Sequence, residues 1–432
     1  MHFVMKAVLL GAGILLIGVL LIIGVYMLPT GRMKSHVAES DEVFNYEGMY
    51  PQVMYGIKSS QLDNYTDSLM YATAIHPGSG NALWDAMYNA RYEYLDNNMV
   101  QSLNDYANDV SVKESLRYEI GYARYWHGYL VVLKPLLLFL NVGEIRLFNQ
   151  IMQTVLLVLL LYLINKQFGF PYTIPTIAAV VILNPAAVPL SLQYSWVFYV
   201  GLLGCVILLG MHRQVENDCY LLLFMALGML TSYFDLLTYP LITLGMPLVL
   251  YLLKSRELKA ISRVFVTVFA CFMWFVGYAV MWFGKWILAF FLGHNDLLQE
   301  VVNKITERTS SGGGAIKESI TLWEMLTRTL SVIMIKPYVF AYGVLFIGYV
   351  IWIVYQRKKY GGERQRNMKG VLLYILPYIL IALLPFAWFC IMSNHTYVHT
   401  WFTYRELTVT VFAIGTMMLE IWWKCFGVCD KM

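Results

Sequence analysis

The chain is short of charge. Of its 432 residues, 13% are Asp, Glu, Lys or Arg and 59% are hydrophobic, whereas soluble domains carry about a quarter charged residues. That excludes a soluble globular protein and implies an integral membrane protein. No basic run is interleaved with aromatics, so nucleic-acid partners are set aside. Cysteine is also scarce: Cys205, Cys219, Cys271, Cys390, Cys425 and Cys429 all avoid the two long polar stretches. No disulfide framework holds those stretches, and no pair has the spacing of a closed zinc site. Cys425 and Cys429, beside Trp422 and Trp423, suit either palmitoylation or idle thiols.

What the chain has instead is a series of apolar runs. Ala7 to Leu28, preceded by Lys6 and ended by Pro29-Thr30-Gly31, is long enough to span a bilayer and reads as a retained signal anchor. Further spans are expected at Leu147–Ile164, Tyr172–Leu190, Trp196–Met211, Tyr220–Tyr233, Leu237–Leu253, Val264–Phe283, Tyr338–Tyr355, Val371–Cys390 and Thr408–Trp423. Gly128 to Leu140 contains Lys134-Pro135 and is short for a span, so it reads as re-entrant or interfacial.

The expectation is an all-α polytopic fold of about ten transmembrane helices in a single domain over residues 1–432. It comprises a first helix (7–28), a large extracytoplasmic loop with interfacial helices (33–127), the short segment (128–140), a core bundle (147–283), a second extracytoplasmic loop (284–337) and C-terminal helices (338–423). Basic residues support this arrangement. Lys166, Arg213, the run from Lys254-Ser255-Arg256 to Arg263, and Arg357-Lys358-Lys359 to Lys369 fall in short connections assigned to the cytoplasm. Both termini are then cytoplasmic, in a multi-pass protein of the plasma membrane.

The polar stretch from Met33 to His127 is rich in carboxylates and tyrosines. Asp41-Glu42 follows the first span by about a dozen residues, where a carboxylate can act as general base on an acceptor hydroxyl, or simply be solvated. Asp63 and Asp67, next in line as the catalytic base, share a face if LDNYTDSLM is helical, which also suits a shared divalent cation, a basic partner or an ordinary helix start. Arg124, His127, Lys336 and Arg405 are the cations expected near a phosphate, with headgroup snorkelling the alternative for Arg405. His395 and His399 have metal-compatible spacing but no adjacent ligand set, which leaves them as substrate contacts and any metal undetermined. Asp235 sits where a helix meets the outer boundary, either functional or wet. Glu420 and Lys424 read as a structural pair. Asn64-Tyr65-Thr66 and Asn394-His395-Thr396 match glycosylation sequons. Gly312-Gly313-Gly314 suits a lid or a flexible linker.

The segment from His127 to Leu209, beginning HGYLVVLKPLLLFLNVGEIRLFNQ, resembles the early part of GT-C membrane glycosyltransferases. The carriers of the likeness are Glu144 and Arg146 in the turn after a short outer segment, and Lys166-Gln167-Phe168-Gly169 closing the next span. An Asn-Pro break (Asn184-Pro185) follows near the outer end of a span. The resemblance implies a bacterial transferase that moves a sugar from a polyprenyl-phosphate-linked donor to an envelope glycan, teichoic acid or lipid acceptor on the outer membrane face. It also implies a catalytic base soon after the first span, the place of Asp41 or Glu42. One departure stands out. The stretch PLSLQYSW carries Gln193 and no acid, which puts a metal shared between loops in doubt. A polysaccharide polymerase, a lipid-linked-sugar flippase or a non-enzymatic scaffold are the alternatives.

Overall fold

The computed structural model describes residues 2–426 apart from 213, 216, 295, 314, 315, 317, 318 and 361–367. Arg213, Gly314 and Cys429 lie outside the described residues, as do the side chains of Arg357, Lys359, Lys424 and Cys425. The chain is 76% helical. Among the described residues its one sheet is an antiparallel pair in which Arg91 faces Ile120 and Tyr94 faces Arg117.

Among the described residues, five helices are long and apolar enough to cross a membrane: His2–Tyr26, Val142–Phe168, Leu192–Gly210, Ala260–Phe291 and Lys369–Ile391. Leu322–Ser331 and Lys336–Trp352, bent by 80°, make a sixth if taken as one broken span. The remaining expected spans fall on the shorter apolar helices Phe170–Leu183, Asp218–Phe234 and Ile242–Lys254 and on the last helix, Leu407–Phe426.

Local chemistry sets several boundaries. Val142–Phe168 starts on a reciprocal capping box between Asn141 and Glu144 and stops at Gly169, whose φ of 90° suits glycine. The run expected to reach Leu190 breaks at Leu183, because Asn184 is left-handed (φ 59°) and Pro185 follows. Asp218–Phe234 and Ala260–Phe291 pack through paired glycines. A Cβ on Gly228 would lie 1.9 Å from the Trp274 carbonyl oxygen, and one on Gly277 2.0 Å from that of Met225. Small residues of this kind let helix backbones meet where no hydrophobic force drives them together.

The stretch expected as a loop is a folded unit. It contains helices Gly31–Ala38, Asp41–Glu47, Asn64–Ile75, Ala82–Tyr88 and Met99–Ala107, together with the strand pair. Its Phe44, Met70, Leu103 and Trp126 belong to the same core as the bundle. Leu130–Leu137 follows, eight residues long, or about 12 Å at 1.5 Å per residue. Ala260–Phe291 continues well past Phe283, so the second polar stretch begins later than expected and carries the helices Leu297–Thr309 and Leu322–Ser331.

The unit is fastened to the bundle by polar bonds that the sequence pattern does not reveal. Asp67 is buried and accepts from Ser191 Oγ, Leu192 N and Gln193 N, each at 3.0 Å. A carboxylate from a distant helix therefore caps the first turn of Leu192–Gly210, where amide donors lack intrahelical partners. Glu47 takes both arms of Arg146 at 2.7 and 2.9 Å, and Asn64 bonds to each partner. At the far end of the bundle Glu420 is buried against Arg256 (2.6 Å), Tyr172 (2.7 Å) and Tyr374 (2.7 Å). Those partners satisfy its carboxylate; the expected pairing with Lys424 lies outside the described side chains.

Asp67→Ala leaves those two amides and a hydroxyl without their acceptor in a buried place. Its expected cost is about 2 kcal/mol, measured as a lower thermal midpoint of the purified protein in detergent; an unchanged midpoint would show that the cap holds nothing.

Candidate functional site

At the end of the bundle that carries the folded unit, a groove of about 730 Å³ opens between Ala260–Phe291 and Leu297–Thr309. Trp274, Phe275, Trp282, Phe283, Trp286 and Phe290 line one wall, and Leu298, Val302 and Ile305 line the other. Arg124, Lys304 and Arg308 stand in the same lining. An aromatic and aliphatic trough with guanidinium and ammonium groups along it suits an amphiphile with an anionic head.

The cations are positioned by their neighbours. Arg308 donates to the Tyr125 hydroxyl. Arg124 pairs with Glu300, lies 4.7 Å from the Tyr122 ring centre, and its carbonyl accepts from Trp286 Nε1 at 3.1 Å. Lys304 pairs with Glu307 at 2.6 Å. Arg124 Nε is buried and has no hydrogen-bond partner among the described residues.

Behind this head lies a buried polar cluster. His395 Nε2 bonds to the Leu237 carbonyl at 2.9 Å. A carbonyl only accepts, so Nε2 carries the hydrogen and Nδ1 is the bare nitrogen, without a partner among the described residues. Leu237 lines the groove in a left-handed conformation, φ 67°, which is strained for a side chain of this kind. The turn is held by Asp235, whose two oxygens each lie 3.0 Å from the Thr238 amide. Burial pushes the Asp235 carboxyl up to about 6. Burial and the Arg308 charge hold His395 well below its ordinary value and His399 at about 4.

Beyond His399 the rings continue outward. The His399 and Trp401 centres are 5.2 Å apart, edge to face, and Trp401 meets Tyr50 at 5.3 Å. Trp401 Nε1 donates to Asp63 Oδ2 at 3.3 Å, while Asp63 Oδ1 caps its own helix through Thr66 N at 2.9 Å. Burial raises the Asp63 carboxyl above its ordinary range.

Of the expected residues, Arg124 lines the groove, His395 and Asp235 hold the Leu237 turn behind it, and His399 and Asp63 are joined to this cluster through Trp401. The other expected residues lie elsewhere. Asp41 accepts only from Asn108 at 3.2 Å among the described residues, and Glu42 is exposed; neither lines the groove. Asp67 is committed to the helix cap, its carboxyl pushed by burial up to about 7, and so shares no ion with Asp63. His127 is buried between the Tyr129 hydroxyl and the Tyr122 carbonyl, at 2.8 and 2.9 Å. Lys336 is exposed at a helix start, away from the lining. Arg405 is fully buried and donates to the carbonyls of Leu183, Trp401 and Ser59, so it neither snorkels nor faces the groove. Asn64 and Asn394 are buried, out of reach of glycosylation. No group of three or more metal-type ligands occurs among the described residues.

Arg308, Lys304 and the tryptophan wall were not legible as a site. The available signal was the i,i+4 pair Lys304 and Arg308 beside the apolar Val301 and Ile305. No family model matches the chain, and neither a curated protein nor a solved structure does.

Between about pH 4 and 6.5 the folded protein binds fewer protons at His399 than the unfolded chain does, so this group adds stability as pH rises through that window and removes it on acidification. His399→Gln is expected to flatten the acid-side fall of the thermal midpoint. Equal falls in parent and variant would contradict the assignment.

Proposed function

We propose that the chain is a membrane glycosyltransferase of GT-C type acting on a lipid-phosphate-linked sugar at the outer face of a bacterial plasma membrane. In this reading about ten helices cross the bilayer, the shorter apolar ones included, with both termini cytoplasmic. The observation that carries it is one groove combining an aromatic and aliphatic trough with Arg124, Lys304 and Arg308. Such a groove accommodates a polyprenyl chain along its walls and a phosphate against its cations. Arg308 and Arg124 would hold the charge that develops on the phosphate as the bond from the anomeric carbon to its oxygen breaks.

The base moves from Asp41 or Glu42 to Asp63. Asp63 is buried and joined toward the groove through Trp401 and His399, its carboxyl is made more basic by desolvation, and its Oδ2 carries one long bond, from Trp401. It would take the proton of the acceptor hydroxyl as that oxygen attacks the sugar. No step in this scheme calls for a metal.

The second reading is a flippase for the same lipid, favoured by the buried acids Asp235 and Glu406 and by the sharply bent pair Leu322–Ser331 and Lys336–Trp352. Envelope sugar composition separates the two in four matched strains: parent, deletion, Asp63→Asn and Arg308→Ala. The transferase reading expects one substituent to vanish in the deletion and to fall by about a hundredfold in Asp63→Asn, with variant protein still present in the membrane. Arg308→Ala should show a comparable loss. A substituent kept in Asp63→Asn but lost in the deletion and in Arg308→Ala would favour transport. An envelope unchanged in every strain would overturn both.

A further inference from the structure

We infer that Tyr50, Tyr65 and Trp401 form a stacking platform for the pyranose rings of a glycan, and that this glycan is the acceptor. The inference rests on the transferase reading for the word acceptor, but not for the binding itself.

Tyrosine is abundant in this chain, and most of its rings have ordinary duties. Tyr194, Tyr239 and Tyr404 are buried and hydrogen-bonded to carbonyls. Tyr46 stands 94% exposed, with no ring contact among the described residues. Tyr50 and Tyr65 differ from both groups. Each is about two-fifths exposed, at 42% and 40%, and their rings lie nearly parallel, 21° apart with centres 6.5 Å from one another. Tyr50 continues onto Trp401, whose indole is fixed at one edge by Asp63 and at the other by His399 and Phe402. The rings are therefore oriented before any ligand arrives, which lowers the ordering cost of stacking.

The polar surroundings choose among ligands. Glu93, Arg91 and Asp63 act electrostatically on the Tyr65 hydroxyl, Arg91 donates to Glu93 at 2.8 Å, and Tyr118 donates to Glu93 at 3.1 Å. This is a mixed ring of acceptors and donors, with carboxylates as prominent as the guanidinium. An anionic headgroup would meet those carboxylates unfavourably. A pyranose presents the opposite pairing, an apolar C–H face for the rings and a rim of hydroxyls that donate and accept. A tyrosine of a membrane-interface belt is carried at the end of a span; Tyr50 and Tyr65 belong instead to the folded 31–127 unit.

Position supplies the last element. The platform reaches the groove head through Trp401 and His399. A saccharide lying on these rings would cover the Trp401 indole that donates to Asp63 Oδ2 at 3.3 Å.

The test uses the purified full-length protein in detergent, without donor lipid. Hexasaccharides of β-linked glucose, α-linked glucose, β-linked N-acetylglucosamine and α-linked mannose serve as probes, read by saturation-transfer NMR. At least one hexamer should bind. Tyr50→Ala and Tyr65→Ala should each weaken that binding by about tenfold, while Tyr50→Phe and Tyr65→Phe retain it, because stacking needs the ring and not the hydroxyl. Retention of a short-chain polyprenyl phosphate by the alanine variants shows that they are folded. No binding by any hexamer, or alanine variants that bind like the parent, would overturn the platform. An alanine variant that loses hexamer binding as purified protein while its strain keeps an unchanged envelope would overturn the acceptor role and leave the transferase reading standing.

Discussion

Arg405 carries a full positive charge in a place with no exposure to solvent, and no carboxylate is paired with it among the described residues. It is satisfied by carbonyls: Leu183 at 3.0 Å, Trp401 at 2.7 Å and Ser59 at 3.1 Å, with its guanidinium carbon 4.0 Å from the Tyr194 ring centre. In a low-dielectric interior an unsatisfied charge is strongly unfavourable, so those three carbonyls must converge for the protein to fold as it does. Their convergence ties together the broken helix end at Leu183, the folded unit at Ser59 and the ring platform at Trp401. Lys285 follows the same rule, buried on Ala86 O (2.9 Å) and Asn89 Oδ1 (2.8 Å), as does Lys134 on Ala74 O (2.7 Å). Buried basic side chains held by another segment's carbonyl oxygens join the unit to the bundle.

That joint positions the site. The groove lies where Ala260–Phe291 leaves the bundle and meets the 122–127 segment, and Lys285 and Trp286 fasten that helix end to Ala86 and Arg124. Leu297–Thr309 is held across it by Glu300 on Arg124 and Arg308 on Tyr125. The cations that would meet a phosphate therefore also hold the groove together. Replacing a bound anion by these protein partners, or the reverse, exchanges one set of charge-assisted bonds for another.

Much of the fold was legible in composition and period. Low charge and repeated apolar runs point to a membrane protein, and five of the expected spans fall on helices long and apolar enough to cross a membrane, the others on shorter, bent or broken ones. Boundaries were harder to read where a single backbone conformation decided them, as at Asn184, or where a helix continued beyond its apolar stretch, as at Phe291. The folded state of the 31–127 segment was hidden because its core is completed by residues of the bundle rather than by its own pattern. The site was half legible. Arg124, His395, His399, Asp63 and Asp235 are residue types whose burial or charge invites suspicion in any context. Arg405 and Asp67 invite the same suspicion and turn out to be structural, since a sequence does not show which carbonyls or amides will converge on a charge. Arg308 was hidden in a short amphipathic stretch whose partner wall lies at the end of Ala260–Phe291, and no local period links the two.

Central to this account is a groove that selects its ligand by an apolar chain and a phosphate together. Native mass spectrometry of the purified protein, offered equal amounts of a polyprenyl phosphate and of the uncharged polyprenol, reads that selection directly. The account predicts retention of the phosphate over the alcohol by about tenfold or more, and loss of this preference in an Arg124→Met, Arg308→Met double variant that still binds detergent and migrates as a folded protein. Equal retention of phosphate and alcohol by the parent, or a preference untouched in the double variant, would contradict it.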